Sequence, residues 1–336
     1  MSARGVVRSS TALVLVAALL VGAAAIAAAR SFGTRRHHLV IAAVRQPATS
    51  LLFVAQATGC FDDERLDLTE RTHELGRDAL VELLAGKADV AVAFETPVLR
   101  RYSGDQRLRV LTALHSSTRN TRIVARRDRI SGIADLRGRR LAAADGTNAD
   151  FFVEQLLTFG GLSRDELTLV DLDPDAASDA LAGGTVDAAV LSDPHAERAT
   201  RALGGEAVEI VSDLYAEFSM VVTRADVIDV RRDALLALLA GLACAERKLQ
   251  DEPAAAYAAV RERFPERSDS ELQVALERVR RAIGLDEVLW SVLAREARWM
   301  RAEATGGPGA PDIRRLIDAT LLEEVEPRAV NLLMRR

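Results

Sequence analysis

From residue 38 onward, short continuous apolar runs alternate with stretches whose apolar positions recur every three or four residues. "HLVIAAV" (38–44) reads as a buried strand that ends at a polar corner, "RQPATS", and leads into a helix, "LLFVAQATG". "DALVELLAG" is a predicted helix, "ADVAVAF" a strand ending at "ETP", and "LRVLTAL" another strand. After residue 126 the order returns: strand "RRLAAA", corner "DGTN", helix "ADFFVEQLLTFGG", strand "LTLVDL", helix "ASDALAGG", strand "VDAAVL", corner "SDP". Such alternation predicts an α/β protein built on parallel-core sheets with helices on both faces.

The two halves share a phrase. "GKADVAV" (86–92) and "GTVDAAV" (184–190) both read G-x-x-D-x-A-V, and each precedes a corner with proline. The glycine suits the left-handed end of a helix, Thr96 and Asp193 suit N-caps, and Pro97 and Pro194 suit the first helical position. A second echo, "RIVARRDRI" (122–130) and "MVVTRADVI" (220–228), pairs an apolar run with a charged turn. These two runs predict a two-strand hinge, with lobe I formed by 38–126 and 220–336 and lobe II by 127–219. Beyond residue 230 the chain reads as alanine- and leucine-rich amphipathic helices packed back on lobe I, "SDSELQVALERVRRAIG" among them.

Arg4 and Arg8 precede residues 11–29, 19 positions without a charge, so 1–37 is expected to be an export signal, with Ala27 and Ala29 before a cut, or an uncleaved membrane anchor. A net charge of −5 argues against a nucleic-acid partner, and 4% aromatic content poorly supplies stacking platforms. Cys60 and Cys244 are the only cysteines. Two separately buried thiols are the favoured reading over one disulfide.

No H-E-x-x-H, C-x-x-C, G-x-S-x-G or phosphate-loop pattern occurs, and the five histidines are scattered. No catalytic set, cofactor or metal is therefore expected. What remains is a group of polar corners at strand ends, where ligands rest in open α/β sheets. They offer Arg45, Gln46, Thr49 and Ser50 from the first, Glu95 and Thr96 from the second, Gly146, Thr147, Asn148 and Asp150 from the third, and Ser192 and Asp193 from the fourth. Two lobes facing each other would gather them into one cleft.

On "VRQPATSLLFVAQATGCFDDERLDL", "LLAGKADVAVAFETPVL", "DLRGRRLAAADGTNADFFVEQLL", "GTVDAAVLSDP" and "EPRAVNLLM", the chain resembles periplasmic substrate-binding proteins of ABC importers, in the nitrate, sulfonate and taurine branch that shares its fold with thiamine-pyrimidine precursor binders. The resemblance covers about residues 39–334 and implies a type II two-lobe periplasmic-binding-protein fold. It implies a monomer that captures a small anionic or zwitterionic solute outside the cytoplasmic membrane and hands it to a permease. Two other readings share the fold: a thiamine-pyrimidine precursor binder or synthase-like enzyme, and a membrane-tethered sensor lobe. The chain departs from the family pattern at Arg65, where relatives usually carry glycine, at Cys60, and at Arg45.

Each candidate has two readings. Arg45 is either a two-bond clamp on an anion or a surface arginine, paired to Glu95 for instance. Glu95 suits a ligand amine, but a helix-start carboxylate is the simpler assignment. Thr147 and Asn148 can cap their helix and bind ligand at once. Of Phe151 and Phe152, one is expected in the core and the other, Phe151 in our assignment, on the cleft wall. Glu217 and Phe218 are either hinge contacts to the cleft or an ordinary loop before a strand. His195 reads as a helix-start residue.

Overall fold

The computed structural model describes residues 36–303 and 312–333, so the candidate signal at 11–29 lies outside the described residues. The strands are β1 (His37–Val44), β2 (Leu66–His73), β3 (Val90–Phe94), β4 (Leu108–Ser117), β5 (Arg122–Arg126), β6 (Arg140–Ala143), β7 (Thr168–Asp171), β8 (Ala188–Leu191), β9 (Ala207–Ile210), β10 (Glu217–Arg224), β11 (Arg280–Asp286) and β12 (Val330–Asn331). They form a seven-stranded sheet, β12-β11-β4-β10-β3-β1-β2, and a five-stranded sheet, β7-β6-β8-β5-β9. Each sheet is mixed. β1 lies parallel to β3, and β6 parallel to both β7 and β8, while β10 and β5 pair antiparallel to both of their neighbours. The predicted strands β1, β3, β6 and β8 supply parallel pairs, while β4, also predicted, pairs antiparallel with β10 and β11.

Those passages fix the lobe boundaries. β5 pairs with β8 and β9, and its Ile123–Ala125 core is buried in the second lobe. The first crossing is therefore 118–121, ahead of the expected break after residue 126. β10 starts at Glu217, opposite Ser117, which places the second crossing at 211–216. The two crossings leave the first sheet side by side. Four further strands depart from expectation: β2, β9 and β12 had no assignment, and β11 occupies the end of a stretch read as helix. β2 carries polar residues on most positions, and "RRAIGLD" is short and arginine-led, so neither shows the apolar run of a buried strand.

The repeated phrase has a mechanical role. Asp89 Oδ2 accepts from Val40 N at 2.9 Å while Asp89 N donates to Val40 O at 2.8 Å. Asp187 does the same to Arg140, with Oδ2 accepting at 2.9 Å and its N–H donating at 2.9 Å. In each lobe one aspartate thus locks the start of one strand to its parallel neighbour, β3 to the middle of β1 and β8 to the start of β6. The preceding turns pass through Gly86 at φ +73° and Gly184 at φ +75°, the left-handed region glycine enters freely.

In lobe I the long helix Ala225–Asp251 packs on the turn Cys60–Asp63. Cys60 and Cys244 join there in a disulfide with Cα atoms 5.8 Å apart, replacing the two separate thiols expected. Gly241 permits the approach, because a Cβ there would overlap the Phe61 ring.

Candidate functional site

A cleft of about 320 Å³ lies between the lobes. Its walls come from the carboxyl ends of strands in both sheets: Val44 to Gln46 after β1, Thr72 to Arg77 at the end of β2, Phe94 and Pro97 after β3, Ala144 and Thr147 to Ala149 after β6, Leu172 and Pro174 after β7, and Val190 to His195 around the end of β8. Four helices of eight residues or more begin at this wall, Gly76–Leu84, Asn148–Gly160, Pro174–Ala182 and His195–Leu203, so their free N–H groups and positive dipole ends face the space. Leu75, Phe94, Pro97, Leu172, Val190 and Leu191 supply an apolar surface between them.

Of the residues expected at the site, Arg45, Gln46, Thr147, Asn148, Ser192 and Asp193 line the cleft. Thr147 caps its helix as expected: Oγ1 accepts from Ala149 N at 3.2 Å and donates to Ala144 O at 2.7 Å. Asn148 Nδ2 donates to Thr121 Oγ1 at 3.0 Å and Glu217 Oε2 at 3.3 Å, and Ser192 Oγ lies 2.9 Å from Thr121 Oγ1. Arg45 lines the wall, but its guanidinium is engaged elsewhere. It donates to Arg263 O at 2.7 Å and Glu266 Oε1 at 3.0 Å and lies over the Phe264 ring. Its carboxylate partner is Glu266, not Glu95.

The other expected residues lie outside the cleft, each for a visible reason. Thr49 Oγ1 donates to Val44 O and Gln46 O and closes the turn after β1, while Ser50 is buried beneath it. Gly146 N donates to Asp150 Oδ2, and Asp150 is held by Arg100 and Arg164, each at 2.9 Å. Burial raises the Asp150 pKa, yet Arg164 and the Gly146 N–H more than offset it and the net shift is downward. Phe151 does not wall the cleft: it packs against Tyr215 and Trp299, and Phe152 shares the Tyr215 contact. Phe218 is buried and borders a different hollow, not the cleft.

Glu95 and Thr96 are also buried rather than exposed to ligand. The helix Glu95–Gly104 starts two residues earlier than the N-cap assignment for Thr96 requires, with Phe94 at the cap. In lobe II Pro194 stands at the cap position, preceded by a cis peptide, so Asp193 is not the N-cap either. Glu95 accepts from the Tyr215 hydroxyl and from Phe218 N, and Thr96 Oγ1 donates to Glu296 Oε2 at 3.0 Å. Burial pushes the Glu95 pKa up to about 8, with the Tyr215 hydrogen bond opposing and Glu217 adding repulsion. Glu296, equally buried, is raised well above the usual carboxyl range by burial and by Glu95. This acid cluster belongs to the hinge and not to the ligand space.

Residues that the sequence did not single out complete the walls: His73, Leu75, Arg77, Thr121, Leu172 and Pro174. Arg77 reaches across the gap, donating to Asp145 O and to Asp173 Oδ1, each at 2.7 Å. "HELGRDAL" carries a local signal for this, a helix start just after a strand, but only once β2 is recognised as a strand. Glu217 proves a hinge contact, accepting from Asn120, Thr121 and Asn148. His195 begins its helix as expected; burial lowers its pKa although Asp175 lies 3.1 Å away. Among the described residues no cluster of side chains is arranged to hold a metal ion.

The comparisons with known proteins agree with this geometry. The family described as "NMT1/THI5 like" matches residues 46–254, more than half of the chain. A Brucella abortus (strain 2308) protein named "Putative binding protein" is 25% identical over 141 residues, 42% of this chain and 43% of its own length. The match thus spans under half of that curated relative. The alkanesulfonate-binding protein SsuA of Xanthomonas axonopodis pv. citri, solved with MOPS bound, aligns over 85% of this chain and 100% of its own with a TM-score of 0.70 and 19% identity. The aliphatic sulphonate-binding SsuA of Escherichia coli gives 0.71 at 17% identity, over 84% of this chain and 98% of its own. The desulfurization enzyme DszB gives 0.66 at 17% identity, over 87% and 99%. At such identities the likeness is one of fold, and that fold carries binding proteins and an enzyme alike. With the family matched across both lobes and the fold shared, this chain belongs to the NMT1/THI5-like family and has the two-lobe periplasmic-binding-protein fold.

Proposed function

We propose that this protein is an exported solute-binding protein that captures a small organic anion, of the sulfonate class, in the interlobe cleft and delivers it to an ABC importer. The observation that carries the reading is the convergence of strand ends and four long-helix N-termini from both lobes on one partly apolar space. Helix starts favour an anionic head. The apolar wall favours a hydrocarbon body, which a sulfonate has and nitrate lacks. A zwitterion such as taurine fits less well, because Glu95, the candidate acceptor of its amine, is buried in the hinge. The Cys60–Cys244 disulfide supports an oxidising compartment outside the cytoplasm. The same bond ties up both thiols and leaves no cysteine nucleophile for the enzyme reading.

The test is equilibrium binding and thermal shift with linear alkanesulfonates, taurine, nitrate and a thiamine pyrimidine precursor. A true ligand at 100 times its Kd adds about 2.7 kcal/mol of stability. Alkanesulfonates are expected to bind, and Asn148→Ala to weaken them. Selective binding of the pyrimidine would replace the sulfonate assignment, and silence across the panel would remove it.

A further inference from the structure

A second hollow, of about 210 Å³, lies on the first lobe and shares no wall residue with the cleft. It arises from a break in register. β11 pairs with β4 through Arg280↔Ser116 and Arg281↔His115, and the ladder resumes only at Gly284↔Ala113. Ala282 and Ile283 bulge from the sheet, and the space opens beside them. The displaced backbone is satisfied: Ile283 N donates to Glu246 Oε2 at 2.9 Å and Gly284 N to Thr112 Oγ1 at 2.8 Å. The amides of Ile283 and Gly284 therefore do not need the hollow.

The charges around it are not satisfied in the same way. Arg280 and Arg328 both line the hollow, and among the described residues neither guanidinium makes a hydrogen bond or an ion pair. Arg280 is in electrostatic range of Glu246, but that carboxylate already accepts from Ile283 N. The acid on the wall, Asp286, is committed to the next helix, its Oδ1 accepting from Leu289 N at 2.9 Å. His115 also borders the hollow, but its ring is turned to the hinge, with Nε2 3.8 Å from Glu217 Oε1 and an edge contact to Phe94. Two planar five-donor cations beside one small polar cavity form an arrangement that recognises an oxyanion through paired N–H···O bonds.

We infer that this hollow is a second binding site, for a small inorganic oxyanion of the sulfate or phosphate class, held between Arg280 and Arg328. It is independent of what the interlobe cleft binds. The test uses the full chain and inorganic sulfate, with sodium chloride at matched ionic strength as the control. Sulfate is expected to bind, and the exposed double variant Arg280→Ala/Arg328→Ala to weaken it about tenfold or more while cleft binding is kept. In a second measurement, saturating sulfate should protect Arg280 and Arg328 from phenylglyoxal modification, read by mass spectrometry of peptides. Equal sulfate affinity in the double variant, binding no stronger than the chloride control, or unprotected modification of both arginines would each overturn the assignment.

Discussion

In the first lobe the chain turns from β3 into its helix at Glu95; in the second it turns from β8 at Asp193, and both carboxylates are buried. They occupy matching corners after the repeated G-x-x-D-x-A-V phrase, yet their surroundings are opposite. Glu95 is faced by the Tyr215 hydroxyl, Phe218 N–H, Glu296 and Glu217, and keeps its proton into mildly alkaline solution. Asp193 is gripped by Arg122 Nη2 at 2.7 Å and by Arg278 Nη1 at 2.9 Å. Burial of an acid is thus solved by neutralisation in one corner and by ion pairing in the other. Because Arg278 comes from the first lobe, the second solution also ties the lobes together.

The largest expected effect is at the paired corner. Asp193→Ala leaves Arg122, fully buried, with only Glu209 at 3.0 Å as its carboxylate partner. Breaking a buried pair from one side costs about 3–5 kcal/mol, so urea denaturation should show a loss of that order. If the cost is below about 1 kcal/mol, the contrast between the two corners fails. Next comes the disulfide, which braces lobe I and has no counterpart among the described residues of lobe II. It closes a loop with a sequence separation of 184 that encloses the whole second lobe. Cys60→Ser is expected to cost about 2–5 kcal/mol in denaturation of the first lobe.

The neutral corner has a pH signature. Above about pH 4.5 the unfolded chain ionises at Glu95, while the folded chain holds the proton to about 8. The folded state binds more protons in that window, so stability is fully present below about 4.5 and is lost as pH rises through about 8. Glu95→Gln, which mimics the protonated acid, should make this decline shallower, leaving the share that Glu296 contributes. Denaturation curves across the window measure the slope, and an unchanged slope would mean that Glu95 is not the neutral member of the pair.

The parts of this protein that could be read in its sequence are those set by neighbours in the chain. β1, β3, β6 and β8 are short apolar runs, and Asp89 and Asp187 stand at fixed offsets from their glycines, so the repeat and the corners follow from local pattern. What could not be read depends on residues far apart. The commitment of Arg45 to Glu266 spans 221 positions and that of Glu95 to Tyr215 spans 120. Neither partner leaves a local trace, so local pattern alone groups cleft and hinge residues together. The Cys60–Cys244 bond is of the same kind.

Arg65 gives the smallest effect and the sharpest comparison of the lobes. In lobe II the chain enters β7 through Leu167 at φ −139°, an extended conformation open to any residue. In lobe I it enters β2 through Arg65 at φ 54°, where a Cβ crowds the backbone at a cost of about 1–2 kcal/mol and glycine is at ease. The exposed Arg65 side chain makes no hydrogen bond or ion pair among the described residues that would compensate. Arg65→Gly should therefore stabilise the protein, less the roughly 0.4–1 kcal/mol that a more flexible unfolded chain takes back. A net gain of about 0.5–1 kcal/mol is expected in denaturation. Arg65→Ala keeps the Cβ and should gain nothing, so equal effects of the two substitutions would assign the change to the lost charge instead of the backbone.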